Sequence, residues 1–235
     1  MTDALTSWSS EAAIEPLDRQ ASLGEQAYGA LKASIIRGVF TPGEKLTVRS
    51  VAQALGVSTT PARDALNRLI AEGVLINLGP KTVVLPKLTA EALREVAAIR
   101  QSLEGLAAFE ATARIDLSEI DRLEKVQDEL NGHLDAGRYH DVLRVNTEFH
   151  FSIYRRSGMP RLVAIIESQW LRIGPSLHGL YPEYAQSRRG VSNHMWALNG
   201  LRDRDPAAVK AAIQNDIRGG FRRLSAWIAQ TQGGA

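Results

Sequence analysis

The sequence predicts a mainly α protein in two parts: an N-terminal winged helix-turn-helix and a C-terminal all-helical bundle. Three observations predict it. Leu46–Leu69 has the pattern of two short helices joined by a tight turn. Two β-rich runs follow it, around a turn at Leu78-Gly79-Pro80-Lys81. After Pro86 the apolar spacing is helical, with no further strand pattern.

The N-terminal elements follow in order. Residues 1–20 are polar, lack periodicity and read as an arm; the winged domain then spans 21–88 and the bundle 89–235. Ala27–Gly38 forms an amphipathic helix through Ala27, Leu31 and Ile35, and stops at the turn Thr41-Pro42-Gly43. Thr47 is placed to cap the next helix, on which Val51 and Leu55 stand one turn apart. Gly56 sits where a helix C-terminus favours positive φ. Ser58, Thr59, Thr60 and Pro61 open the following helix, where proline loses no hydrogen bond. Its apolar stripe is narrow: Ala62, Ala65, Leu66 and Leu69. Thr59, Thr60, Arg63, Asn67 and, to one side, Arg68 remain outward. A short helix with small residues inside and donors outside suits a DNA major groove. Val74–Asn77 and Thr82–Leu85 are expected to form the hairpin wing, with Lys81 at its tip.

Composition narrows the class. The chain has 235 residues, 23% charged and 44% hydrophobic, and no cysteine. Disulfides and thiolate metal sites are excluded, which fits a cytoplasmic location. No apolar run approaches the ~20 residues of a membrane helix, and no secretory leader pattern is present. Net charge is +2, unevenly spread: −3 over residues 1–20, +4 over 21–88 and +1 over the rest. Positive charge therefore collects where phosphate neutralisation needs it. The excess is modest, so tight binding calls for two copies on adjacent half-sites, that is, a homodimer.

The bundle is expected to hold six helices: Thr89–Ala113, Leu117–Leu134, Tyr139–Arg156, Leu162–Gly174, Glu183–Leu201 and Pro206–Ala229. Asn146 and His150 lie four apart on one helix face. His194 and Asp216 fall on the two later helices. Imidazole and carboxylate are the ligands a cysteine-free site offers zinc, nickel or manganese. On spacing alone, ordinary core or surface roles fit these residues better. Arg100 and Arg172 are candidate partners for an effector carboxylate, whose geometry a guanidinium fork matches. Arg100 could instead pair with Glu104 one turn on, and Arg172 could be solvated. Trp170, Trp196 and Trp227 read as core or interface anchors.

The run from GVFTPGEKL through GVSTTPARDALNRLIAEGVL resembles the DNA-binding domain of GntR-type transcriptional regulators. The resemblance implies that Arg49 and Arg63 contact DNA, and that Ser58–Thr60 and the wing near Lys81 approach the backbone. The chain departs from the family pattern at Thr59, where arginine is frequent, and at Lys81, where a wing glycine is usual. Residues 89–230 resemble the helical FCD domain of the FadR subfamily, through IR-x-x-LE at Ile99–Glu104, N-x-x-FH at Asn146–His150 and S-x-H at Ser192–His194. Six helices resemble its VanR-like branch. In that domain a divalent metal is held by Asp or Asn and three histidines. The resemblance places Asn146, His150 and His194 on those positions, with Asp216 where the last histidine normally stands. It implies a regulator, not an enzyme, whose operator binding responds to a small carboxylate. A repressor is favoured, since a dimer on a promoter blocks polymerase without further contacts. A metal-dependent enzyme or a metal sensor using the same cluster are the competing readings.

Overall fold

A computed structural model describes residues 22–79, 82–181 and 188–232. The expected arm at residues 1–20 and the wing residue Lys81 lie outside them. Helix α1 runs Leu23–Ile36 and starts earlier than its apolar spacing suggests. Its start is set by a capping box, in which Ser22 Oγ accepts from the Glu25 amide and Glu25 accepts from the Ser22 amide. Strand β1 is Lys45–Thr47, α2 is Val48–Leu55 and α3 is Thr59–Ala71. Thr47 caps α2 in a second box with Ser50, and Gly56 closes α2 in the left-handed region at φ 65°.

Strands β2 (Ile76–Gly79) and β3 (Thr82–Val84) form the wing. The sheet order is β1-β3-β2, all antiparallel, with Leu46 opposite Val83 and Ile76 opposite Val84. Val74 and Leu75 were expected in the hairpin. They are instead buried in the core, and β2 starts at Ile76, two residues later than expected. Burying both side chains in succession needs an irregular backbone, because a strand would turn one of them outward.

Among the described residues, six further helices form the second part: α4 (Ala90–Thr112), α5 (Leu117–Asp135), α6 (Tyr139–Tyr154), α7 (Pro160–Ile173), α8 (Arg189–Arg202) and α9 (Pro206–Gln232). A 3-10 turn at Arg155–Ser157 ends α6, and a longer 3-10 segment, Gly174–Leu180, follows α7. The fifth expected helix began at Glu183; that start lies outside the described residues, and α8 begins at Arg189. Helix α4 is central, packed on α6, α7 and α9. That position explains its buried small residues Gly105, Ala107, Ala108 and Ala111, which allow close helix approach.

The two parts meet where α1 packs on α7 and on the start of the 3-10 segment. Lys32 Nζ lies 2.6 Å from Glu167 Oε2 across this junction. Gly174 sits so close to α1 that a Cβ on it would stand 2.3 Å from the Ile35 carbonyl oxygen and 2.9 Å from that of Ile36. Only glycine permits that approach without backbone movement. Gly174→Ala is therefore expected to push α1 away from the helical bundle at a cost of about 1–3 kcal/mol. Calorimetry should show a lower melting temperature, and X-ray scattering a larger radius of gyration. An unchanged value in both measurements would show that the junction yields without cost.

Candidate functional site

Two sites stand out, one in each part. The first is the outer face of α3. Ser58, Thr59, Thr60, Arg63 and Asn67 are all exposed, as is Arg49 at the start of α2. Burial of Ala62, Ala65, Leu66 and Leu69 against α1 and α2 forces the alternate positions outward. Among the described residues, neither Arg49 nor Arg63 has an acidic partner. Arg68 differs. Its Nε lies 3.3 Å from Glu72, and its guanidinium stacks 3.7 Å from the centre of the Tyr28 ring. Tyr28 in turn donates to Glu72 at 2.8 Å. Burial and that carboxylate push the Tyr28 hydroxyl up to about 12, so it stays a donor. Arg68 is thus tied to the scaffold, whereas Arg63 is free to reach a ligand.

The second site lies inside the bundle, where α6, α8 and α9 converge. Ligand atoms of His150, His194 and Asp216 lie within 4.8 Å of one another. His194 Nε2 is 3.3 Å from His150 Nε2, which is 3.3 Å from Asp216 Oδ2. Both histidines are buried. Their partners settle which ring nitrogen carries hydrogen. Glu104 is a carboxylate and only accepts, so Tyr154 must donate its hydroxyl hydrogen to Glu104 Oε2, at 2.6 Å. The Tyr154 oxygen then has only lone pairs for His150 Nδ1, 3.0 Å away, so Nδ1 carries the hydrogen. Burial and the Glu104 charge raise the Tyr154 pKa well above its usual value and keep that hydrogen in place. Gln127 uses its amide nitrogen on Asn131 and its oxygen, 2.6 Å away, on His194 Nδ1. Both Nε2 lone pairs consequently face the same point, beside a carboxylate oxygen.

Such a group of acceptors requires a positive centre between them, either a proton or a metal ion. Burial, reinforced by His150, pushes His194 down to about 3, so it stays neutral and keeps its lone pair. Burial works against the Asp216 charge, but His150, His194 and Asn193 together hold its carboxyl down to about 2. Two nitrogens bound about 2.0–2.1 Å from a tetrahedral zinc stand about 3.3 Å apart, the separation found here. The residues therefore fit a divalent ion, with their remaining nitrogens oriented by Tyr154 and Gln127 as metal-bound histidines require.

Asn146 and Arg100 line the cavity beside the cluster, among Leu143, Trp170, Leu177 and Phe221. Its volume is about 50 Å³. Arg100 is buried and pairs with Glu104 through Nε at 2.6 Å, the i,i+4 pairing open from its spacing. Burial opposes the Arg100 charge, but Glu104 outweighs it and raises the pKa. Trp170 Nε1 also donates to Glu104, at 3.0 Å, and the Arg100 guanidinium lies 4.5 Å from the Trp170 ring centre.

Residues 23–80 match the model for bacterial regulatory proteins of the gntR family, and residues 95–219 match the FCD domain. The chain is 31% identical over 197 residues to the HTH-type transcriptional regulator McbR of Escherichia coli (strain K12), covering 83% of this chain and 89% of that one. The chain belongs to the GntR family. It is also 35% identical over 188 residues to the Nta operon transcriptional regulator of Aminobacter aminovorans, covering 79% of this chain and 86% of that regulator. Among solved structures, E. coli McbR/YncC superposes with a TM-score of 0.82 at 29% identity, over 87% of this chain and 98% of that one. A putative GntR regulator from Rhodococcus sp. RHA1 shares the fold, with a TM-score of 0.69 at 20% identity, over 86% of this chain and 96% of that one.

This GntR regulator thus has an FCD domain that brings Asn146, His150, His194, Asp216 and Arg100 together. Arg172 is not with them. It is exposed, lining a groove with Gly73, Leu85 and Lys87 where the wing leaves the first domain. The reason is helical phase: Trp170, Leu171 and Ile173 take the inward positions at the end of α7, which turns residue 172 outward. The matched relatives are regulators, so the enzyme reading is set aside. Glu148, the carboxylate two positions from both Asn146 and His150, is half exposed and lies off the cluster's side of α6, so it offers no base there. Glu104, Gln127, Tyr154 and Trp170 were not recognised from sequence as parts of the site. The only local hint was Glu104, one turn from Arg100.

Proposed function

We propose that this regulator is a cytoplasmic, effector-controlled repressor that binds its operator as a homodimer. The free donors on the outer face of α3 carry that reading. Arg63 and Asn67 are positioned to read base edges. Arg49, Ser58, Thr59, Thr60 and Lys81 would serve the DNA backbone or neighbouring bases. Selection of bound fragments from random duplexes, followed by a metabolite screen for release, tests it. A protein that retains no duplex at low salt would end the proposal.

Dimerisation is assigned to the open face around α4. Leu106 and Phe109, three apart and so on one face of α4, are each exposed by 40%. An apolar patch of this kind marks an association surface. The double variant Leu106→Glu, Phe109→Glu is expected to run as a 25.7 kDa monomer by light scattering. A variant that stayed dimeric would place the interface elsewhere.

Asn146, His150, His194 and Asp216 are proposed to hold a divalent ion, zinc, nickel or manganese. Such an ion supplies open coordination positions that attract a carboxylate. Arg100 stands on the cavity wall as the second attraction for the effector's charge. A cavity of about 50 Å³ holds little beyond one or two waters, so a metabolite must widen it. Leu177 and Leu180 form part of the wall, and the 3-10 segment carrying them begins at Gly174, which presses on α1. Widening would therefore displace the winged domain directly. Any shift in operator binding is limited by the effector's differential affinity for the two arrangements.

His150→Ala should lose bound metal and the effector response while still binding operator. Elemental analysis after dialysis and a gel shift with effector check this. Wild-type protein that holds no ion after incubation with zinc or nickel would show that the cavity works without one. Release of DNA by the ion alone would favour a metal sensor.

A further inference from the structure

A space larger than the cavity at the histidine cluster opens elsewhere in the molecule. It is a cleft of about 400 Å³ between α1 of the winged domain and α6 and α7 of the FCD domain. That volume falls within the range of about 300–1,000 Å³ typical of small-molecule sites. Its walls carry four cations, Lys32, Arg37, Arg144 and Arg155, against two acids, Glu148 and Glu167.

Both acids already have partners. Glu167 lies 2.6 Å from Lys32, and Glu148 lies 3.9 Å from Arg144, which also reaches Glu129 at 2.5 Å. Arg37 and Arg155 have no acidic partner among the described residues. They come from opposite domains, Arg37 from the end of α1 and Arg155 from the turn after α6. Like charges on facing walls repel, and an anion between them removes the repulsion and gains charge-assisted hydrogen bonds. The floor is apolar, formed by Ala33, Ile36 and Phe151. Arg155 lies over the Phe151 ring at 5.4 Å from its centre, which leaves a stacked apolar and cationic surface.

We propose that this cleft is a second ligand site, for a small organic dianion with an apolar body. A dicarboxylate and a phosphate ester share that chemistry. Such a ligand touches both domains at once, so it clamps their relative placement. Phe151 also packs edge-on against Trp170, 5.3 Å between ring centres, and Trp170 donates to Glu104 beside the histidine cluster. The cleft and the cluster are therefore in physical contact through side chains. Binding at the cleft stands independently of the proposed metal and effector site; only its consequence for operator affinity rests on that function.

The experiment uses full-length His150→Ala protein, in which the histidine cluster is disabled. Calorimetric titration with adipate, benzene-1,3-dicarboxylate and phenyl phosphate should show saturable binding by at least one, with acetate far weaker. The dicarboxylates and the phosphate ester distinguish the two sources of dianion. Adding Arg37→Gln and Arg155→Gln should weaken that binding about tenfold or more, since two charge-assisted contacts are removed. The same double substitution in the otherwise wild-type chain should leave metal content unchanged, since neither arginine is among the partners of His150, His194 or Asp216. No binding by any of the three probes at about 10 mM, a concentration that detects even millimolar affinity, would overturn the proposal. So would binding that the double substitution leaves intact.

Discussion

Arg63→Ala protein is expected to fold normally and to lose its operator. Arg63 is exposed on α3 and has no ion pair among the described residues, so removing it leaves the core and the capping of α3 untouched. A guanidinium that reads guanine through two hydrogen bonds contributes about 1–3 kcal/mol of discrimination. A dimer loses that contact in both half-sites, about 2–6 kcal/mol in all. Affinity should fall by well over tenfold in a gel shift, with an unchanged circular dichroism spectrum and melting temperature. Arg68→Ala is the control. Arg68 is held by Glu72 and the Tyr28 ring, so its loss should affect stability more than DNA. A gel shift of the Arg63 variant that matches wild type would remove Arg63 from the recognition face.

The largest stability effect is expected at Glu104. This fully buried carboxylate accepts from Arg100, Tyr154 and Trp170 simultaneously. Glu104→Ala leaves a buried guanidinium without its counter-charge and two further donors without an acceptor. Breaking a buried pair by removing one partner costs about 3–5 kcal/mol. A second consequence concerns the histidine cluster. Without Glu104, Tyr154 is free to donate to His150 Nδ1 instead, which moves the imidazole hydrogen to Nε2 and turns that atom from acceptor to donor. Loss of such an orienting partner typically costs 10–100-fold in metal affinity. Glu104→Gln keeps the shape and separates the two effects, because it retains an acceptor while discarding the charge. Thermal unfolding followed by metal titration measures both. A Glu104→Ala protein that melts with wild type would show that solvent reaches Arg100 and relieves it.

Much of the first domain was legible because its signals are local. Thr47, Gly56 and Pro61 act on backbone groups within four residues of themselves, and the alanines of α3 specify how closely it packs. The errors there have the same origin. Apolar spacing alone starts α1 at Ala27, whereas the Ser22 and Glu25 capping box starts it at Leu23. Strand β1 went unanticipated because three residues are too few to show an alternation.

The helical domain was legible in its elements and less so in its site. Family resemblance points to Asn146, His150, His194 and Asp216; the last three cluster, while Asn146 lines both the cavity of His150 and Asp216 and the smaller one of His194. The residues that orient them come from α4, α5 and α6, and Gln127 is 67 positions from the histidine it serves. Arg172 was assigned to the effector on its charge alone, and the phase of α7 turned it to a different groove.

Hydrophobic period, caps and turn residues act through neighbours along the chain, so they dictate the helices, the wing and the outward donors of α3 before any tertiary contact forms. The meeting of three helices at His150, the orientation of each imidazole, the glycine contact onto α1 and the basic cleft between domains depend on which faces pack together. Period identifies a face as apolar but carries no record of what lies opposite, and those oppositions are settled by packing and by the pairing of buried polar groups.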